Sequence, residues 1–225
     1  MKKSFYLVLL ASSLVNINPA EAISVINFDD IDTGFPQTSG TALVPYQYQN
    51  FHWSSNGTTN SGFTAINDAI WTGAGNYNNN FTAPSAPNGV LNSGIVTVSR
   101  VGGGLFTFKE AYFAPFTSNS DFESQGSTAH TIIVRGFNGA NLVGSANYTF
   151  TQAGYIQLTQ DIPNITSLEL IGTSPAVQNF ETRWAMDNFS YEAAPVPLES
   201  DAAPIVGATA FFAMGVWWKR RLPLI

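Results

Sequence analysis

Two histidines, no cysteine and fifteen carboxylates among 225 residues set narrow limits on the chemistry open to this chain. His52 stands in FHWSS and His130 in TAHTIIV, unrelated settings, and no GxSxG elbow supplies the serine of a hydrolytic triad. Two imidazoles fall short of a three-histidine zinc site, and no HExxH occurs. The lack of cysteine removes thiolate ligands and disulfides together. Carboxylate pairs for glycoside hydrolysis could be drawn from Asp68, Asp121, Glu123 or Glu181, but acids at such spacings select no mechanism. A protein without catalytic activity is the expectation.

Contact with sugars suits these residues better. Pyranose rings lay their C–H faces on aromatic rings, while amides and carboxylates bond the hydroxyls. VPYQYQNFHW supplies Tyr46, Tyr48, Phe51 and Trp53, and the stretch from Asn56 to Asn92 adds Trp71 and Tyr77 among asparagines. A connection that long inside a compact domain is usually either functional or mobile. Phe51 and Trp53 fall on one face by alternation, and Trp53 is expected to be buried. Trp71, Tyr77, Tyr46 and Tyr48 are the candidate ligand-binding residues.

The partner class is further narrowed by charge. Between Ile23 and Ala194 twelve carboxylates face four cations, Arg100, Lys109, Arg135 and Arg183, a net charge of about −8. Such a surface repels nucleic acid and anionic membranes. Sparse charge beside abundant Asn, Ser, Thr and Gly is the composition of an extracellular β-protein.

The elements that must position these residues read as strands. AISVINFD, GIVTVSRV, LFTFKEAYFAPF, HTIIVRGFN, NLVGSANYTF, GYIQLTQ, ITSLELIGT and WAMDNFSYE are rich in β-branched and aromatic residues and are broken by Gly, Asn and Pro. No sustained 3.6-residue period appears between them. Short strands in a chain of this size predict an all-β fold, a β-sandwich of jelly-roll type. Two hairpins are expected, one turning at Asn138-Gly139 with type I′ geometry and one at Gly102-Gly103-Gly104. The glycine triplet lacks the lysine and helix of a phosphate loop. In HTIIVRGF the face is ambiguous, because Thr131, Ile133 and Arg135 alternate with Ile132 and Val134.

Both ends carry targeting signals. Lys2-Lys3, an apolar run and Ala20-Glu21-Ala22 form a secretory signal peptide over residues 1–22, so the domain spans 23–194. Residues 195–201 form a linker, and 202–218 are 17 uncharged residues closing on Trp217-Trp218. As a helix they would rise about 25 Å, the short limit for a membrane span. Lys219, Arg220 and Arg221 open a basic cytoplasmic tail, residues 219–225. This polar spacer, weak span and short basic tail resemble the PEP-CTERM sorting signal of bacterial envelope proteins, in its cyanobacterial variant. Pro197 and Glu199 match the motif's first proline and its acid, while Leu198 intervenes and no proline follows Glu199 directly. The resemblance implies a membrane-embedded exosortase as processing partner, with a membrane-anchored form in transit to the envelope or medium.

The domain in turn resembles the jelly-roll, galactose-binding-like group that includes carbohydrate-binding modules. The motifs are Asn27-Phe28-Asp29-Asp30, VPYQYQNFHWSS, GGLFTF, TIIVRGF and WAMDNFSY, in that order. It implies polysaccharide as the partner and calcium as a cofactor, pinned between first-strand and last-strand acids. Asp29, Asp30 and Asp187 match those positions, with Asp32 nearby. A structural envelope or matrix component without a ligand site is the alternative reading.

Overall fold

The computed structural model describes residues 22–34, 36, 40–56, 63–68, 83–116, 128–151, 154–175 and 182–194. The segment 1–21, Trp71, Tyr77 and everything beyond 194, including Pro197, Glu199 and Lys219 to Arg221, lie outside them.

Among the described residues thirteen strands occur: β1 (Ile23–Ile26), β2 (Thr41–Leu43), β3 (Gln47–Tyr48), β4 (Phe51–Ser55), β5 (Thr64–Asn67), β6 (Asn88–Ser93), β7 (Ile95–Arg100), β8 (Phe106–Pro115), β9 (Thr131–Asn138), β10 (Asn141–Thr149), β11 (Ile156–Ile165), β12 (Ser167–Thr173) and β13 (Arg183–Ala193). They form two antiparallel sheets. The first runs β11-β8-β13-β6-β5-β2 with β1 also on β13, and the second runs β10-β9-β12-β7-β4-β3. This is the all-β sandwich that the strand-rich sequence predicts. No helix among the described residues is long and apolar enough to cross a membrane.

The core lies between the sheets and is dominated by aromatic rings. Phe51 and Trp53 of β4 are fully buried, Trp53 as expected, against Phe106 and Phe189 of the other sheet. Edge-on contacts such as Trp53–Phe189, with centroids 5.4 Å apart at 78°, suit the ring quadrupoles. With no disulfide available, burial carries the stability, at roughly 1.5–3 kcal/mol for each large apolar side chain. In β9 the ambiguity resolves: Ile132 and Val134 are buried, whereas Ile133 and Arg135 lie on the half-buried outer side.

Of the connections that carry the chain between the sheets, three lie at or beside residues of positive φ. β6 passes to β7 at Gly94 (φ 89°), β7 to β8 through Gly102-Gly103-Gly104, and β11 to β12 beyond Asn164 (φ 56°). The glycine triplet therefore makes a sheet-to-sheet crossing, not the expected hairpin. All three glycines have positive φ (76°, 78° and 102°), which other residues resist. The β9–β10 hairpin does form, but its turn residues are Gly139-Ala140, since Asn138 pairs with Asn141. Only Gly139 has positive φ there, the pattern of a type II′ turn and not the expected type I′. Unanticipated is the tight β3–β4 hairpin, where Gln49 (φ 50°) and Asn50 (φ 64°) join the paired Tyr48 and Phe51. Two positive φ values in succession are the type I′ signature.

Candidate functional site

Two places gather side chains beyond the needs of packing. The first lies on β13. One edge of this strand pairs with β8. Its other edge is shared, Arg183–Met186 pairing with β6 and Phe189–Glu192 with β1. The changeover falls at Asp187-Asn188, where Asn188 takes φ 51° and the register against β8 shifts. Trp184 and Met186 point into the core, so alternation turns Asp187 to the opposite side.

There Asp187, although fully buried, faces the segment just ahead of β6. It accepts hydrogen bonds from the Ser85 N–H (2.8 Å), the Ser85 hydroxyl (3.0 Å) and the Asn188 N–H (2.7 Å). Asp68 accepts from the Ala83 N–H (3.1 Å), and Asp29 from the Asn88 N–H (3.1 Å). Three carboxylates thus hold three backbone amides of the six-residue stretch Ala83 to Asn88. Burial pushes the Asp187 carboxyl up to about 7, against the pull of its hydrogen bonds, and the charge of Asp29 adds to the rise. Asp68 is pushed up to about 6 by burial, again with Asp29 adding. No cation is among the causes of either shift. Burial, then Asp187 and Asp68, also raise the Tyr155 hydroxyl well above its usual value.

Whether calcium suits these residues turns on Asn88. Its side-chain amide donates to the carbonyls of Phe28 (3.2 Å) and Ile31 (2.9 Å), while its Oδ1 is buried without a hydrogen-bond partner. A buried amide oxygen without a partner is one ligand of the kind a hard cation takes, and Asn88 also meets the Asp29 carboxylate through its backbone N–H. Among the described residues no three acid or histidine side chains are grouped to hold one ion. The fit therefore rests on Asp29 or Asp187 with Asn88 Oδ1 and backbone oxygens. Asp30, the other acid matched by resemblance, is turned elsewhere: it accepts from the Tyr48 hydroxyl and from Gln49 Nε2 (3.1 Å). Asp32 accepts from the Gly34 N–H at 2.8 Å.

The second place is the outer side of the second sheet. Tyr46 and Tyr48 would share a face only in a regular strand, and the strand is interrupted at Tyr46. Tyr48 stacks on Phe28 (5.5 Å, 19°) at the core margin, and burial and then Asp30 raise its hydroxyl pKa. Tyr46 turns outward, is 39% exposed, and lies flat against His52, with centroids 4.8 Å apart at 8°. Strand pairing extends the row from His52 to Ser99 and Ser167. A parallel row runs Ser54, Thr97, Glu169, Arg135 and Ser145. The arrangement is an aromatic platform at one end of a strip of hydroxyls with one acid and one base. The histidines do not meet, since His130 precedes β9, and β7 and β12 separate β9 from β4.

Tyr46, Asp29 and Asp187, singled out in the sequence, lie in these two places, whereas Asn88, Ser85, Asp68's part in the cluster and His52 as a stacking partner were not singled out. APSAPN carries no signal of its own, and only the β13 changeover reveals why its amides need carboxylates.

Neither protein-family models nor curated proteins give a match to this sequence. Among solved structures, the chain is similar to the K1 cleaved adhesin domain of Lys-gingipain from Porphyromonas gingivalis W83, at 13% identity and TM-score 0.37, covering 69% of this chain and 99% of that one. It is similar to a cyclase from Fischerella sp. TAU at 8% identity and TM-score 0.41, covering 77% and 98%. It is also similar to a family 16 carbohydrate binding module at 13% identity and TM-score 0.36, covering 66% and 97%. At these identities and TM-scores the likenesses carry no argument about activity.

Proposed function

We propose that this chain is an exported surface or extracellular-matrix protein whose sandwich, of jelly-roll type, binds polysaccharide without transforming it. The observation that supports this most directly is the exposed Tyr46 lying flat on His52 beside two rows of hydroxyl-bearing residues. A ring braced from behind by an imidazole loses little freedom when a pyranose settles on its open face. Ser54, Thr97, Ser99 and Ser167, with Glu169 and Arg135, offer the donors and acceptors that sugar hydroxyls need. Trp71 and Tyr77 are proposed as further stacking residues on their type and sequence setting alone.

Calcium has a structural part in this reading. Held by Asp29 or Asp187 with Asn88 Oδ1, it would supply the positive charge that these buried acids lack and tie β1, β6 and β13 together. Export by the residue 1–22 signal, and exosortase-type sorting at Pro197 and Glu199 ahead of Lys219, Arg220 and Arg221, rest on the residue patterns at the two ends. Mass spectrometry of the secreted product tests the sorting, because processing leaves a C-terminus near residue 199 and its absence leaves the tail.

Affinity electrophoresis of the exported chain through gels containing single polysaccharides tests the binding. Retardation by at least one polysaccharide, recovered at its original length, is the expected result. Release of shortened sugars would make the protein an enzyme, and migration unchanged by every polysaccharide would leave it a structural component.

A further inference from the structure

Each sheet of an open sandwich ends in strands whose outer backbone groups invite pairing with another chain, and proteins blunt such edges. Among the described strands five have an open edge, and four of these are blunted. β1, which pairs with β13 alone, has four residues, β2 has three and β3 has two. β11 has ten, but it contains Pro163 and Asp161, and its register against β8 shifts twice. β10 is the exception. Its nine residues, NLVGSANYT, include no proline and no charge, and among the described strands it pairs with β9 alone. Leu142 and Val143 at its start are 55% and 48% exposed.

We propose that β10 is a self-association edge, where two copies of this chain join antiparallel strands β10 across a two-fold axis. The occupant follows from charge. A domain of about −8 repels its own copies over most of its surface. β10 carries none of the acids, and the nearest charge on β9 is a cation, Arg135, which pairs in register with Ser145. A copy of the same uncharged strand meets no opposing charge, and a two-fold contact is self-complementary by construction. After the irregularity between Leu142 and Gly144, the run Gly144–Thr149 is regular. An axis within that run sets Ser145 of one copy near Ser145 and Asn147 of the other. The two second sheets then become one, doubling the length of the face that carries Tyr46. Sugar-binding sites at both ends would engage a long polymer together, although the pairing itself does not depend on sugar binding.

Sedimentation of the full-length chain over a range of concentrations tests this, alongside the variant S145E/N147E. Both residues are on the solvent side of β10, and Glu at 145 faces Arg135, so folding is retained. The substitutions set four like charges around the axis. A reversible dimer for the native chain, with at least tenfold weaker association in the variant at unchanged Tm, is expected. Because the sequence has no cysteine, S145C gives a second reading: a short bismaleimide should link it into dimers and leave L43C, on the β2 edge, monomeric. A native chain that stays monomeric, association indifferent to the glutamates, or equal linking through position 43 would each overturn the proposal.

Discussion

Asp187 on the last strand accepts both the N–H and the hydroxyl of Ser85, 102 residues earlier, and so fastens the approach to β6 onto the centre of the first sheet. The contact lies where β13 changes partner from β6 to β1. Replacing Asp187 with Ala leaves the Ser85 and Asn188 amides without their acceptor in a buried place. A loss of about 1–3 kcal/mol is expected, read as a lower midpoint in chemical denaturation. An unchanged midpoint would mean that water replaces the carboxylate there.

The same acids give stability an unusual pH dependence. Asp187 and Asp68 have folded-state pKa values near 7 and 6, above the ordinary 3.8 expected of the unfolded chain. The folded state therefore keeps protons that the unfolded state has released. Their stabilising contribution is fully present below about pH 4 and declines as pH rises through 6 and 7. Thermal scans in chelator should show Tm falling from pH 5 to pH 8. Calcium should restore Tm at pH 8, since a cation replaces the protons. A Tm that rises with pH would contradict the buried-acid account, and one indifferent to calcium would remove the metal from it.

Tyr46 and Tyr48, two residues apart, are expected to behave oppositely. Tyr46→Ala removes an exposed ring and should weaken polysaccharide retention at least tenfold with Tm unchanged. Tyr48→Ala removes a ring packed on Phe28 and a hydroxyl bonded to Asp30, and should destabilise by about 2–4 kcal/mol. Paired denaturation and binding measurements on both variants separate the two roles.

Gly172 on β12 lies against Trp184 of the facing sheet. A Cβ at this position would come 2.3 Å from the indole Cδ1, and the indole N–H is already fixed on the Gly94 carbonyl at 2.9 Å. Gly172→Ala should cost about 1–3 kcal/mol through overpacking, visible as a Tm loss. Full stability in that variant would show that Trp184 can shift.

The residues differ in how far their sequence setting disclosed their place. Trp53 was legible as core, with Phe51 on its face, because large apolar residues at period two, flanked by polar ones, have one economical arrangement in a half-buried strand. Gly102-Gly103-Gly104 disclosed a turn but not its destination, since positive φ serves a hairpin and a sheet crossing equally. Gln49-Asn50 was hidden because glutamine rarely takes positive φ, and here Asp30 bonds its amide. Asp68 could not be joined to Asp29 and Asp187 because their proximity depends on β13 exchanging one partner for another, a long-range event with no local mark. Tyr46 was identified by type, whereas its divergence from Tyr48 needed the interruption of the strand.

In the proposed function the face bearing Tyr46 holds polysaccharide. Titration of the native chain, beside its Tyr46→Ala variant, with the exopolysaccharide of the cell that makes the protein decides whether it does. Saturable binding by the native chain, at least tenfold weaker in a variant of equal Tm, is the result expected. Binding of equal strength in both, or none by the native chain, would contradict it.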